Sequence, residues 1–181
     1  QGAQHSQSLQ SFFAHVPGLT VIMPSHSDSI LKDYHYIVNS YRAPVISIEH
    51  RLLYDVKFNI EQDSVYSNDD PLSSHLVRKG NDVTIVATSI MVLEALRAAQ
   101  YLSINAGLDC EVIDLNCVSH PDKEMIMNSV EKTGRLIIAD TSWQAYGVCS
   151  EVCRIVCEKA PSLLKVPVVT LGMQPATCPT A

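Results

Sequence analysis

The run Gly2-Ala3-Gln4-His5-Ser6-Gln7 holds the residue best suited to proton chemistry in this chain. An imidazole titrates near neutral pH, so His5 can take up and release a proton under working conditions. A short helical pattern follows, then Pro17-Gly18 and the strand-like Leu19-Thr20-Val21-Ile22-Met23-Pro24. Proline removes a backbone donor and glycine permits positive φ, so the pair ends the helix. His5 thereby stands at the mouth of an α/β unit, where such folds place their chemistry. A loop of this kind is expected to follow a strand, and none precedes residue 5. The chain therefore reads as one that begins in mid-domain.

Other reactive side chains fall into weaker patterns. Cys149, Cys153 and Cys157 recur at i, i+4 and i+8 of a predicted helix, interleaved with Val148, Val152 and Val156. Free cysteine packs as a small hydrophobe, so this stripe reads as core and not as a metal centre. No CxxC pair occurs. His15, His26, His35, His50 and His75 lack ligand spacing, and no metal site is assigned. His120-Pro121-Asp122 reads as a helix-capping loop. There is no Gly-x-Ser-x-Gly elbow, no Walker loop and no dinucleotide fingerprint.

Bulk properties narrow the class. The 181 residues carry 46% hydrophobic and 18% charged side chains, a globular composition. A net charge of −6 without a Lys/Arg run argues against a nucleic-acid binder. No apolar run of about 18 residues exists to span a membrane, and the first residues lack the basic and apolar regions of a signal peptide. None of the six cysteines precedes Cys110, which is unlike a secreted disulfide framework and points to a reducing cytoplasm.

The elements that must position His5 follow from periodicity. Residues 7–15 read as a helix with Leu9, Phe12, Phe13 and Val16 on one side, and residues 20–23 as a buried strand. Ser25 or Ser27 is the expected cap of a second helix, with Asp28 in its first turn and an apolar stripe of Ile30, Leu31, Tyr34, Ile37, Val38 and Tyr41. Pro44 ends that helix before a strand at 45–48. Helix, strand, helix, strand is the signature of a doubly wound parallel sheet. Residues 55–71, rich in Asn, Asp and Ser, read as a solvated linker between domains. Beyond it, strands are expected at 74–79 and 82–88, joined as a hairpin at Gly80-Asn81. A helix at 90–105 closed by Gly107, a strand at 110–115, a helix at 121–132 closed by Gly134, a strand at 136–140, a helix at 147–159 and a strand at 166–171 complete the pattern. Strand runs such as Val83-Thr84-Ile85-Val86 are apolar on both faces, as in a sheet covered by helices on both sides.

Four stretches carry a resemblance to a known family. They are Gly2-Ala3-Gln4-His5-Ser6-Gln7-Ser8; Pro17-Gly18-Leu19 through Met23-Pro24; Pro44-Val45-Ile46-Ser47-Ile48-Glu49 with Leu52-Leu53-Tyr54; and a C-terminal set. That set comprises Gly80-Asn81-Asp82-Val83-Thr84-Ile85-Val86, Val112-Ile113-Asp114-Leu115, Lys132-Thr133-Gly134-Arg135-Leu136, and Gly147-Val148 with Glu151. In order and spacing the chain resembles the β subunit of the E1 component of thiamine-diphosphate-dependent 2-oxoacid dehydrogenases, of pyruvate, branched-chain and acetoin type.

The resemblance implies residues 1–54 as a partial thiamine pyrimidine-binding domain, 55–71 as a linker, and 72–181 as a transketolase C-terminal-like α/β domain with a mixed sheet. It implies oxidative decarboxylation of a 2-oxoacid with acyl transfer to lipoamide. His5 would lie by the reacting centre, in proton transfer or in presenting the intermediate to the lipoyl group. Thiamine diphosphate and Mg would be bound in the intact heteromer; the glutamate that activates the cofactor matches no residue here, and the diphosphate and its metal belong to the α subunit. The expected partners are an E1 α-type subunit, a second β subunit and the E2 lipoyl acyltransferase, in the cytoplasm or the mitochondrial matrix. The chain alone is expected to be inactive, with residues 1–54 stabilised by partner subunits or by another copy. Trp143, after Asp140-Thr141-Ser142, would lie near subunit contacts or pack internally. Relatives continue past the end of this chain into a terminal helix. Two further readings share features: a docking module without its own catalysis, and a transketolase or deoxyxylulose-phosphate synthase relative. The Gln4-His5-Ser6-Gln7 loop and the turn at 49–54 favour the dehydrogenase.

Overall fold

The computed structural model describes residues 7–57 and 70–177. Its first block has the expected order. Helix α1 (Gln10–Ala14) leads through Gly18, at φ +84°, into β1 (Thr20–Ile22). Helix α2 (Ser27–Asn39) then returns the chain to β2 (Val45–Ser47), which pairs in parallel with β1 from Thr20↔Val45 to Ile22↔Ser47. Helix α1 is shorter than its apolar pattern predicts. Leu9 stands at its N-cap without a side-chain cap bond, so nothing holds residues 7–9 in the helix.

Two expectations for α2 are corrected. Its cap is neither Ser25 nor Ser27 but His26, whose Nδ1 accepts from the Asp28 N–H at 3.1 Å. Its sequence stripe is also not the face that buries: Leu31 and Val38 are 62% and 76% exposed, whereas Ser29 and Asp33 are buried. The reason is polar. The Asp33 carboxylate accepts from the Leu72 N–H and from Asn116 Nδ2, which turns that side of the helix toward the second block.

The second block is a five-stranded mixed sheet in the order β3-β5-β4-β6-β7. Its strands are β3 (His75–Arg78), β4 (Val83–Ala87), β5 (Cys110–Asp114), β6 (Leu136–Trp143) and β7 (Val169–Met173). Only β3 runs antiparallel. Helices α3 (Ile90–Ala106), α4 (Lys123–Thr133) and α5 (Val148–Lys159) cover it. The predicted hairpin between β3 and β4 does not form, because β5 lies between them. The Asn81 and Asp82 N–H groups both donate to the Asp109 carbonyl, which brings the start of β5 into that gap. Helix α4 starts two residues later than Pro121, with Asp122 as its cap accepting from the Met125 N–H at 2.9 Å.

Along β4 the side chains alternate between two cores, as the pleat requires. Ile85 and Ala87 pack with Val92, Ala95 and Ala99 of α3. Val86 packs with Ile126 and Val130 of α4 and with Val152 and Val156 of α5. Val21 and Met23 of the first block join this second core. Backbone bonds knit the seam: the Met23 N–H donates to the Asn116 carbonyl at 2.8 Å, and the Val118 N–H to the Val21 carbonyl at 3.0 Å. The architecture is α/β, with a small parallel sheet packed beside a mixed one. Among the described residues, no helix is long and apolar enough to cross a membrane.

Candidate functional site

The carboxyl ends of the parallel strands from both sheets open on one cleft of about 530 Å³. From the first block come Gln7, Ser8 and Gln10, Ile48 after β2, and the turn Glu49-His50-Arg51-Leu52. From the second come Ser89, after β4, and Thr141 on β6. The carboxyl ends of parallel strands are where open α/β sheets place ligands. His5, the catalytic candidate read from the sequence, lies outside the described residues. The described chain begins at Gln7, and Gln7 and Ser8 line this cleft.

Beneath the cleft, behind Gln10, lies a buried hydrogen-bond network centred on Asp140. Gln10 Nε2 donates to both carboxylate oxygens, at 2.9 and 3.1 Å, across 130 residues of sequence. Thr88 Oγ1 donates to Asp140 Oδ1 at 2.6 Å, and Ser142 Oγ donates to Oδ2. Gln10 and Asp140 are both buried. Because Gln10 spends its amide nitrogen on Asp140, α1 is fixed over the ends of β4 and β6. This tether sets one wall of the cleft.

The opposite wall carries the titratable groups. Glu49 accepts from two phenols, Tyr34 at 2.6 Å and Tyr54 at 2.9 Å. Burial, and then the bond to Glu49, raises the Tyr34 phenol above its ordinary value; for Tyr54 the bond to Glu49 is the main cause of a rise. His50 Nδ1 accepts from the Leu52 N–H at 3.3 Å, capping a single 3₁₀ turn (Arg51–Leu53). Burial lowers the His50 pKa, so the ring is neutral at pH 7 with its proton on Nε2. The wall therefore offers an imidazole N–H, a guanidinium at Arg51 and a carboxylate already engaged by tyrosines. Sequence reading set His50 aside for want of ligand spacing and passed over Gln10 and Asp140. The available signal was positional: Asp140-Thr141-Ser142 and Thr88-Ser89 each end an apolar strand.

The cysteine stripe packs as expected at its first position. Cys149 is fully buried, and its thiol is pushed up to about 12 by burial, with Asp140 adding to the rise. Cys153 is half-buried and Cys157 exposed. Burial raises Cys110 and Cys117 as well. Cys178 lies outside the described residues. Thiolates are the reactive form, so alkylation with iodoacetamide at pH 8 is expected to label Cys157 in the native protein and spare Cys110, Cys117 and Cys149 until unfolding. Mass spectrometry of native and denatured samples checks this; early labelling of Cys149 would contradict its burial. Among the described residues no three His, Cys, Asp or Glu side chains stand together as metal ligands.

Residues 73–181 match the family described as transketolase, C-terminal domain. The chain belongs to that family. The transketolase C-terminal domain thus comprises β3 through β7 and contributes Thr88, Ser89 and the Asp140 network, while Gln10 and the His50 turn come from the block before it. Curated relatives extend across both blocks. The chain is 37% identical over 169 residues to the mitochondrial pyruvate dehydrogenase E1 component subunit beta-1 of Arabidopsis thaliana, covering 92% of this chain and 46% of that protein. It is 35% identical over 182 residues to the pyruvate dehydrogenase E1 component subunit beta of Rickettsia felis, covering 99% and 54%. It is 34% identical over 166 residues to the acetoin:2,6-dichlorophenolindophenol oxidoreductase subunit beta of Cupriavidus necator, covering 90% and 47%. The chain spans about half the length of these relatives. A solved split-gene transketolase, described as an inactive beta4 tetramer, superimposes with a TM-score of 0.72 at 23% identity over 95% of this chain and 54% of that one. It supports the fold.

Proposed function

We propose that this chain forms part of the β subunit of a thiamine-diphosphate-dependent 2-oxoacid dehydrogenase. The reaction is oxidative decarboxylation of a 2-oxoacid with acyl transfer to lipoamide. The observation that carries the reading is the extent of the match: β-subunit relatives align through residues 1–72 as well as through the transketolase C-terminal domain. The solved transketolase also covers 95% of this chain, but at 23% identity, whereas the β-subunit relatives reach 35–37% over 92–99% of it. The block at 1–54 acts as the pyrimidine-type unit and 72–181 as the C-terminal unit, joined by 55–71. An α-type subunit, a second β subunit and an E2 lipoyl acyltransferase are its partners, in the cytoplasm or, in a eukaryotic cell, the mitochondrial matrix.

Thiamine diphosphate needs a dry carboxylate on its aminopyrimidine and a metal for its diphosphate. The described residues do not fit that demand: Glu49 is held by two tyrosines, and no metal-ligand cluster is present among them. This chain's contribution is to build the cleft at the strand ends and to supply His5, which moves a proton at the reacting centre in this reading.

The test uses the full-length subunit that carries this sequence, assembled with an α-type partner. Thiamine diphosphate and Mg²⁺ are expected to raise the melting temperature of the assembly and not that of the chain alone, since a ligand stabilises only the state that binds it. His5→Ala is expected to lower lipoamide reduction by roughly 10²–10⁴-fold, the span of a lost acid–base group. An assembly that releases no CO₂ from any 2-oxoacid would remove the reading; a fully active His5→Ala assembly would remove only the histidine's role.

A further inference from the structure

Two aspartates with fully buried side chains face one another where α2 meets the carboxyl end of β5. Asp33 comes from the first block and Asp114 from the transketolase C-terminal domain. Asn116 joins them: its side-chain Nδ2 donates to Asp33 Oδ2 at 2.8 Å, and its backbone N–H donates to Asp114 Oδ1 at 2.9 Å. The remaining oxygens are each held once. Leu72 N–H donates to Asp33 Oδ1 at 2.7 Å, and Ser25 Oγ donates to Asp114 Oδ2 at 2.5 Å. The cluster thus ties four segments together: the loop before α2, α2 itself, the chain entering β3, and the chain leaving β5.

Its acceptors outnumber its donors. Four donors meet four carboxylate oxygens, and the Asn116 Oδ1 atom is buried with no hydrogen-bond partner among the described residues. The carboxylates bring two negative charges into a dry site, which is costly. Two of the segments also hold non-glycine residues at positive φ, Leu72 at +57° and Asn116 at +45°. Such conformations persist only where surrounding bonds impose them.

We propose that this cluster is a proton-operated latch between the first block and the C-terminal sheet. A proton on the Asp114 carboxyl closes it, and loss of that proton loosens it. A carboxyl proton removes one of the two buried charges, whereas an apolar contact of equal size would not respond to pH. Burial is the largest cause that pushes the Asp114 carboxyl up to about 7, and the Asp33 charge acts in the same direction. The bonds from Ser25 and Asn116 pull it down, but less. The other titratable groups here include Cys117, whose thiol is raised by burial and, to a smaller extent, by the Asp33 charge, His75, paired with Asp114 across the β3–β5 ladder, and His26, next to Ser25.

The sign separates the aspartate from the histidines. In the opened state Asp114 meets water and ionises near pH 4. Between about pH 4 and 7 the closed state keeps a proton that the open state has lost, so opening becomes easier as pH rises and levels off above 7. A buried imidazole forced to charge would act in reverse, easing opening as pH falls.

Hydrogen exchange of the full chain at pH 5.5 and pH 8, corrected for intrinsic rates, reads the latch directly. Protection of α2 and of the Leu72–Ser74 backbone is expected to fall roughly tenfold or more relative to α3, and Asp114→Asn is expected to remove the difference. Asp33→Asn, which keeps the Asp114 carboxyl, is expected to move the transition to lower pH. Equal protection at both pH values in the native protein would overturn the latch. So would an unshifted transition in Asp33→Asn, or greater protection at high pH. None of these readouts needs enzymatic activity, so they stand apart from the dehydrogenase assignment.

Discussion

Asp140→Ala is expected to destabilise the protein by about 3 kcal/mol, the largest effect of any single side chain in the network beneath the cleft. The carboxylate accepts from Gln10 twice, from Thr88 and from Ser142. Hydroxyls can rotate toward other acceptors, but the Gln10 amide is fully buried on a five-residue helix and would keep only its long contact to Thr141 Oγ1, at 3.4 Å. Removing Asp140 leaves a dry donor with only that long contact, and most of its desolvation cost appears in the unfolding free energy. Urea titration should show the loss as a lower midpoint at unchanged slope. The partner substitution locates the effect. Gln10→Leu removes the donor instead, and the pair Gln10→Leu with Asp140→Ala should cost about 1–2 kcal/mol less than the sum of the singles, because the two residues share one bond set. Strict additivity would mean that α1 is held by Phe13 and Ala14 packing on the core and that Asp140 tethers nothing.

Much of this was legible in the sequence, for physical reasons that differ by element. Parallel strands covered on both faces must be largely apolar, so β4 and β6 announce themselves as runs such as Val83–Ala87 and Leu136–Ala139, whereas β5 carries the buried Glu111 and Asp114. Helix ends were readable where one residue type decides them: Gly107 and Gly134 take up left-handed φ at +63° and +70° just past α3 and α4. What local pattern could not supply was the choice of partner. Helix α2 carries a good apolar stripe, yet it buries Ser29 and Asp33, because Asn116 and Leu72 satisfy Asp33 from segments 83 and 39 residues away. The cap at His26 was hidden likewise. An imidazole accepts through Nδ1 as a serine would through its hydroxyl, but nothing in Pro24-Ser25-His26-Ser27 ranks the three candidates. The cleft was half legible: the Glu49 to Tyr54 turn was singled out as a motif, whereas Gln10 and Asp140 acquire meaning only when strands of two sheets end side by side.

The hairpin shows the same limit and yields the second large effect. Gly80-Asn81 is a favoured hairpin dipeptide, and glycine there invites the explanation of positive φ. The structure gives a different reason. Gly80 does not have positive φ, and the strands on its two sides do not pair. A Cβ at Gly80 would instead collide with the backbone of Cys110 and Glu111, 2.5 Å from the Cys110 carbonyl oxygen alone. That contact is main chain on main chain and cannot be relieved by a rotamer change. Gly80→Ala is therefore expected to cost about 3 kcal/mol, the upper part of the overpacking range, by prising β3 away from the start of β5. Gly107→Ala is the contrast. Its φ of +63° disfavours alanine, but nothing lies within 4 Å of the added carbon, so about 1 kcal/mol is expected. Chemical denaturation of the two variants decides between the explanations. A larger loss at Gly80 means that this glycine exists for close approach; equal losses would return it to the role of an ordinary turn residue, and the wedge of β5 between β3 and β4 would have to be held by side chains instead.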